Sequence, residues 1–282
     1  YVFTAIAHSA VEKGLTLPGS SIGIVGVGHI GGRVKKLAQA LGMQVLLCDP
    51  PLQRRTGSAG YLSLEQLFEA DFLTLHVPLN LTGIDKTHHL LDHRILHKLR
   101  PDVVLINTSR GAVIDNSALL EWADRHPQAT LILDVWENEP VLDMRLLERT
   151  NWSTPHIAGY SLEGKINGTH LVYKALCRHF GQTPQWQPPA QPKIERITTV
   201  RGDAGIELAL YEATRQAYPL RRDHQNLQKM SAMPAAGRAD YFDRLRKTYP
   251  LRREFGSHSV RVEPTDINIA LTLSAFGFSV MG

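Results

Sequence analysis

The segment Gly26-Val27-Gly28-His29-Ile30-Gly31 constrains this chain more than any other. It fits G-x-G-x-x-G, and its setting gives it weight. Ser21-Ile22-Gly23-Ile24-Val25 is a short apolar run with the length and β-branching of a buried strand. From about Ile30 to Leu41 the spacing predicts a helix. A strand that ends in glycine and opens a helix aims backbone N–H groups at the space ahead, an arrangement that binds a pyrophosphate. Gly26 permits the tight turn, Gly28 lets phosphates approach the backbone, and Gly31 lets helix and strand pack closely. The next strand, Val45–Cys48, ends at Asp49, close to the expected offset of ~20 residues. A carboxylate there accepts hydrogen bonds from ribose hydroxyls and repels a 2′-phosphate, which favours NAD over NADP. A glycine-rich turn with an unrelated surface aspartate is the bland alternative, and the joint pattern of strand, turn, helix and acid argues against it.

The alternation continues as far as His156. Phe72–Val77, Val103–Asn107 and Thr130–Val135 read as further strands. Leu62 to Glu69 reads as a short amphipathic helix, and 93–99 and 116–125 as further helical segments. Strands apolar throughout, alternating with helices, imply a parallel sheet covered on both faces. The expected fold is therefore α/β, a doubly wound parallel sheet of Rossmann type occupying 1–160. A connecting helix covers 161–182. Residues 183–192 form a proline-rich linker, and 193–282 a smaller α+β module with strands near 194–200 and 257–262 and helices near 204–218, 238–248 and 265–276. The chain opens on Tyr1-Val2-Phe3-Thr4-Ala5-Ile6-Ala7, which reads as the middle of an amphipathic helix with residues expected before it.

Composition excludes several classes. The 282 residues carry 31 basic and 27 acidic side chains, a net charge of +4 without a long basic run, so neither nucleic acid nor a membrane is called for. No apolar stretch is long enough to span a bilayer. Cys48 and Cys177 have no metal-ligand spacing and no secreted-framework pattern, which fits a reducing cytoplasmic setting.

Three polar groups fall where strands should end: Arg110, Glu139 and His156. Carboxyl ends of strands in an open parallel sheet face the ligand crevice. Oxidising an alcohol to a ketone sends a hydride to a nicotinamide and a proton to a base. Histidine suits the proton, a neighbouring carboxylate fixes its tautomer, and an arginine can grip a substrate carboxylate with two parallel hydrogen bonds. Taken singly, His156 reads as a satisfied loop residue, Arg110 as an ion-pair partner or cap, and Glu139 as an exposed acid. Their joint position downstream of the glycine loop favours the functional reading. His88, His89 and His93 cluster in sequence, but no carboxylate or cysteine nearby completes a ligand pattern, so no metal is expected. Arg221, Arg222, Arg252 and Arg253 read as solvated faces or an oligomer rim, and Trp186 as a packed anchor.

The chain resembles the D-2-hydroxyacid dehydrogenase family. The resemblance rests on the glycine loop, on Asn107-Thr108-Ser109-Arg110-Gly111-Ala112-Val113-Ile114-Asp115, on Asp134-Val135-Trp136-Glu137-Asn138-Glu139-Pro140, and on Pro155-His156-Ile157-Ala158-Gly159, in the family's order. Leu46-Leu47-Cys48-Asp49-Pro50-Pro51, the run from His156 to Lys165 and the ending Phe276-Gly277-Phe278 are similar to the branch that oxidises 4-phospho-D-erythronate in vitamin B6 synthesis. The resemblance implies that Arg110, Glu139 and His156 are the catalytic set. It implies that Gly26, Gly28, His29, Ile30, Gly31, Asp49, Val77, Asp134 and Gly159 line an NAD site. Tyr160 would touch a small phosphorylated hydroxy-acid substrate, and the C-terminal module would pair two copies into a homodimer. The family also carries roughly a hundred residues before the position of Tyr1, a domain-sized segment. Two rivals stay open: another 2-hydroxyacid dehydrogenase, such as one acting on 3-phosphoglycerate, and a non-catalytic NAD-binding regulatory or dimerising module.

Overall fold

The computed structural model describes residues 1–281. Along the chain run α1 (Val2–Lys13), β1 (Ser21–Val25), α2 (His29–Ala40), β2 (Gln44–Cys48), α3 (Pro50–Thr56), β3 (Phe72–Leu75), α4 (His93–Leu96) and β4 (Val104–Asn107). Then follow α5 (Asn116–Arg125), β5 (Thr130–Leu133), α6 (Met144–Arg149), β6 (Trp152–Ser153), α7 (Leu162–His179), β7 (Ile197–Arg201) and α8 (Ile206–Ala217). The last elements are α9 (Leu220–Gln228), α10 (Ala235–Lys247), β8 (Ser259–Glu263), α11 (Ile267–Ala275) and β9 (Ser279–Met281). The chain divides into two compact units.

The larger unit comprises 2–158 and 220–248. Its six strands are all parallel, in the order β2-β1-β3-β4-β5-β6. β3 and β4 are buried along their whole length, and so is β5, as strands covered on both faces must be. Phe72, Leu73, Leu75 and Leu105 are at most 1% exposed, each burial contributing about 2 kcal/mol. The chain runs outward from β1 to β2 and then returns to β3 on the other side of β1. The order therefore reverses between β1 and β3, where a crevice opens beyond the carboxyl ends.

Several elements differ from the sequence expectation. The helix expected over 62–69 is a single 3-10 turn, Glu65–Leu67. Its start is pulled away, because the Leu62 amide donates to the Leu47 carbonyl and the Gln66 side chain accepts from the Ser63 amide. The opening helix α1 is not amphipathic over its first nine residues: Val2 to Ala10 are all buried, including Thr4, His8 and Ser9. A helix apolar nearly all round belongs inside. Finally, 220–248 packs with the larger unit, not with the C-terminal module to which the sequence division assigns it. Leu227, Met230 and Phe242 join the larger core, Ser153 donates to His224 Nδ1 at 3.1 Å, and Gln228 Nε2 donates to the Leu147 carbonyl at 2.8 Å.

The smaller unit contains α7, a parallel three-stranded sheet β7-β8-β9, α8 and α11. Glu163 anchors it. Its carboxylate accepts from Arg253 Nε at 2.5 Å, Ser257 Oγ at 2.6 Å and the Glu254 amide at 3.0 Å. Burial raises its pKa, but the hydrogen bonds from Ser257 and Arg253 prevail and hold the carboxyl at about 2. The Arg253 side chain is 13% exposed, so it is an internal tie and not the solvated face expected. Trp186 packs edge-on against His170 and Tyr173, and the Tyr173 hydroxyl accepts from the Gln185 and Trp186 amides. No helix among the described residues is long and apolar enough to cross a membrane.

Candidate active site

The glycine loop leaves β1 and enters α2 as the motif requires. Gly26 has φ +86°, and a Cβ there would fall 2.6 Å from the His76 carbonyl oxygen. A Cβ on Gly31 would fall 1.9 Å from the Gly26 carbonyl oxygen, so helix and turn touch through bare backbone. Gly28 is the opposite case: a Cβ there would meet nothing within 4 Å. Gly28 is also the N-cap of α2 and offers no side chain to the helix amides. The amides at this end have no side-chain cap and the space beside Gly28 is open, which is the fit expected for a pyrophosphate. His29 and Ile30 are exposed on the first turn, Ile30 at 59%. Replacing Gly28 by alanine is therefore expected to leave thermal stability unchanged and to weaken NAD binding at least tenfold. Calorimetric titration with NAD beside a melting curve checks both halves.

Asp49 does more than the sequence suggested. Its Oδ2 accepts from the Val27 amide at 2.7 Å and its Oδ1 from the Leu52 amide at 2.9 Å. It thus pins the glycine loop while capping α3, a helix whose Pro50 and Pro51 fill the first positions, where no N–H is needed. Between β1 and β3 lies a cleft of about 530 Å³, with Gly28, Asp49, Val77 and Thr87 in its walls. That volume suits the adenosine half of a dinucleotide. Two titratable groups in its wall are neutral. Burial pushes His76 down to about 4 and the Cys48 thiol up to about 11, the latter raised further by Asp49.

The second cluster sits at the ends of β4, β5 and β6, neighbours in the sheet. Arg110 follows β4 in a turn held by Asn107. The Asn107 Oδ1 accepts from the Ser109 amide and hydroxyl, and its Nδ2 donates to the Arg110 carbonyl at 3.0 Å. The Arg110 guanidinium donates to the Ser109 carbonyl and has no carboxylate partner among the described residues. It is exposed, and so is free to take an anion. Gly111 closes this turn against the next loop: a Cβ there would lie 1.9 Å from the Trp136 carbonyl carbon.

Asp134 follows β5 directly and is buried. Its carboxylate accepts from Thr154 Oγ1 at 2.6 Å, the Ile157 amide at 2.7 Å and the Ala158 amide at 2.9 Å. Burial raises its pKa, opposed by these hydrogen bonds. The structure thus places Asp134 as the post of the 154–158 loop, its oxygens turned to protein donors. The loop presents His156 with φ +56°, a left-handed conformation uncommon for a residue with a side chain. His156 Nδ1 lies 2.8 Å from Glu139 Oε2, and Glu139 Oε1 accepts from the Trp136 amide at 2.8 Å. Glu139 is mostly covered and His156 about one third exposed. With Nδ1 held by the carboxylate, Nε2 is the nitrogen available for proton transfer. Such a pair can act as a general base.

Gly159 and Tyr160 belong to the smaller unit. There Tyr160 packs edge-on against Tyr249, with Lys165 Nζ 4.9 Å from its ring centroid, a cation that sequence reasoning missed. Asn107, Gly111 and Trp136 were also missed as positioning residues, although the Asn-Thr-Ser-Arg-Gly string held the clue to the first two. The reading of His88 and His89 as lacking a carboxylate is corrected: Glu137, 48 residues on, lies 2.7 Å from His89 Nε2. A search confined to nearby sequence could not see it. His93 instead packs edge-on against His97.

Comparison with known proteins agrees with this geometry. Residues 5–158 match the family described as D-isomer specific 2-hydroxyacid dehydrogenase, NAD binding domain. The chain belongs to the D-isomer specific 2-hydroxyacid dehydrogenase family. Residues 190–277 match a family described only as a domain of unknown function. The chain is 42% identical over 284 residues to erythronate-4-phosphate dehydrogenase of Proteus mirabilis (strain HI4320), covering 99% of this chain and 73% of that protein. It is 41% identical to the protein of that name from Edwardsiella ictaluri (strain 93-146), with the same coverage. Among solved structures it is similar to the TT0316 protein from Thermus thermophilus, with a TM-score of 0.51 and 30% identity over 64% of this chain and 65% of that one. A glyoxylate reductase from Paecilomyes thermophila gives a TM-score of 0.50 and 28% identity over 65% of this chain and 59% of that one. In this 2-hydroxyacid dehydrogenase the glycine loop, Asp49 and the cleft belong to an NAD-binding domain that serves NAD-dependent oxidoreduction.

Proposed function

We propose that the protein oxidises C2 of 4-phospho-D-erythronate to give 3-hydroxy-2-oxo-4-phosphooxybutanoate, a step in pyridoxal 5′-phosphate synthesis in the cytoplasm. The observation that carries the chemistry is the 2.8 Å pair of His156 Nδ1 and Glu139 Oε2 at one end of the parallel sheet, with Arg110 on the adjoining turn. The choice of substrate is supported by the names of the two relatives that match nearly the whole chain.

The residues divide the work as follows. Arg110 grips the substrate carboxylate and draws electron density from the neighbouring carbon. Glu139 keeps the His156 proton on Nδ1, so that Nε2 accepts the proton of the C2 hydroxyl as the carbonyl forms. NAD, which the glycine loop and the Asp49 cleft would hold, would supply the acceptor for the C2 hydride. The positive charge created on His156 is met by Glu139, which is turned toward it at hydrogen-bond distance.

Following NADH formation with 4-phospho-D-erythronate tests the assignment. Arg110→Ala is expected to lower kcat/KM about 100-fold or more, since two charge-assisted hydrogen bonds are lost. Equal rates in the two proteins would sink the proposed site. Preferential turnover of 3-phosphoglycerate would move the reading to another member of the family.

The smaller unit is proposed to pair two copies of the chain. Leu171, Val172 and Leu176 on α7 and Ile267 and Leu271 on α11 are each more than half exposed, apolar surface of the kind that oligomers cover. Sedimentation equilibrium reads the outcome directly, and a monomer at micromolar concentration would overturn this part.

A further inference from the structure

His88, His89 and Glu137 are not among the groups used in the proposed reaction. Each offers one ligand atom, and these atoms all lie within 4.8 Å of one another. All three are partly exposed, so the cluster is open to solvent while held in place. The holding is thorough. The His88 amide donates to the Asn80 carbonyl and the His89 amide to the Ala112 carbonyl. Glu137 and Asn116 clasp one another: the Asn116 amide donates to Glu137 Oε2, and the Glu137 amide donates to Asn116 Oδ1.

Two further features define the cluster. His89 has φ +51°, a left-handed backbone that persists only where its surroundings impose it. The two imidazoles also stack with centroids 4.0 Å apart beside the carboxylate, so both rings are kept close to one anion. Asp115 Oδ2 lies 3.7 Å from His89 Nδ1, on the far side of the ring from Glu137. At that distance the carboxylate is an ion-pair neighbour and not a hydrogen-bond acceptor, and a closer approach would give it the outer-support role common behind a ligating imidazole.

From this geometry we infer that His88, His89 and Glu137 form a site for a borderline divalent cation, Zn²⁺ by preference. Two imidazoles and one carboxylate with room for water make a set that zinc accepts at bond lengths of roughly 2.0–2.2 Å. Tetrahedral closure needs ligand atoms about 3.4 Å apart. Closure would therefore need side-chain rotation, with His89 Nε2 and Glu137 Oε1, 2.7 Å apart, separating and the three ligand atoms, all within 4.8 Å of one another, converging on the ion. The cation would bridge the loop before α4 and the loop after β5.

The test uses the whole chain, stripped of metal with a chelator. Calorimetric titration with Zn²⁺ and the visible absorption of added Co²⁺ give affinity and coordination without reference to turnover. His88→Asn and Glu137→Gln remove one ligand each, and Glu137→Gln keeps the hydrogen bond to Asn116. One Zn²⁺ per chain is expected, at least tenfold weaker in each variant, together with a tetrahedral Co²⁺ band that both variants lose. Equal affinity in the parent and the two variants, or a Co²⁺ spectrum of the hydrated ion alone, would overturn the proposal. His88→Gln replaces His88→Asn if the latter fails to fold.

Discussion

Replacing His156 is expected to lower kcat/KM for 4-phospho-D-erythronate by roughly 10²–10⁴-fold, the usual contribution of a positioned general base, while NAD binds as before. The variant must respect the backbone. His156 has φ +56°, and asparagine tolerates this region better than most residues, so His156→Asn removes the imidazole with least disturbance of the loop. The loop itself is held by Asp134 through the amides of Ile157 and Ala158 and by the Thr154 hydroxyl, none of which the substitution touches. NAD affinity should stay within about twofold, because the glycine loop and the cleft lie at β1, β2 and β3, away from the end of β6. Steady-state kinetics with NAD titration separates the two effects. A variant retaining more than a tenth of the parent rate would remove His156 from the chemistry.

The second large effect is one of stability. Gly111→Ala places a Cβ 1.9 Å from the Trp136 carbonyl carbon and 2.0 Å from its oxygen, both backbone atoms with no rotamer to give way. Overpacking against rigid backbone costs about 3 kcal/mol or more, which lowers Tm by roughly 6–12 °C for a unit of this size. The forced separation also moves the turn bearing Arg110 away from the loop bearing Glu139, so activity should fall even below the melting range. Gly168 in α7 provides the contrast. It is exposed, nothing lies within 4 Å of a Cβ there, and Gly168→Ala should be neutral or stabilising by up to about 1 kcal/mol. Differential scanning calorimetry of the two variants decides the matter, and similar melting temperatures would contradict the packing argument.

The parts of the fold legible in the sequence are those whose signal is local. The strands β1, β3, β4 and β5 are near-continuous apolar runs, and α5 begins at Asp115, whose side chain accepts from the Ala118 amide. Arg110 and Glu139 were readable because each follows such a strand, whereas His156 was read from its own Pro155-His156-Ile157 segment. What escaped was decided across the chain. α3, which Pro50-Pro51 opens under the Asp49 cap, has no counterpart among the expected helices. β6 spans two residues, too few for any periodic signal. The sequence of 220–248 carries no mark of which core it joins. Glu137 looks like one more loop acid until the fold sets it against His89. The double role of Asp49 was hidden for the same reason, since its bond to the Val27 amide spans 22 residues.

The neutral thiol in the cleft wall has a chemical consequence. With its pKa pushed up to about 11, Cys48 at neutral pH is thiolate in only about one molecule in ten thousand. Peroxides and alkylating agents attack the thiolate, so they find little to react with beside the nucleotide cleft. Cofactor binding should therefore outlast oxidative episodes that disable dehydrogenases built around an activated cysteine.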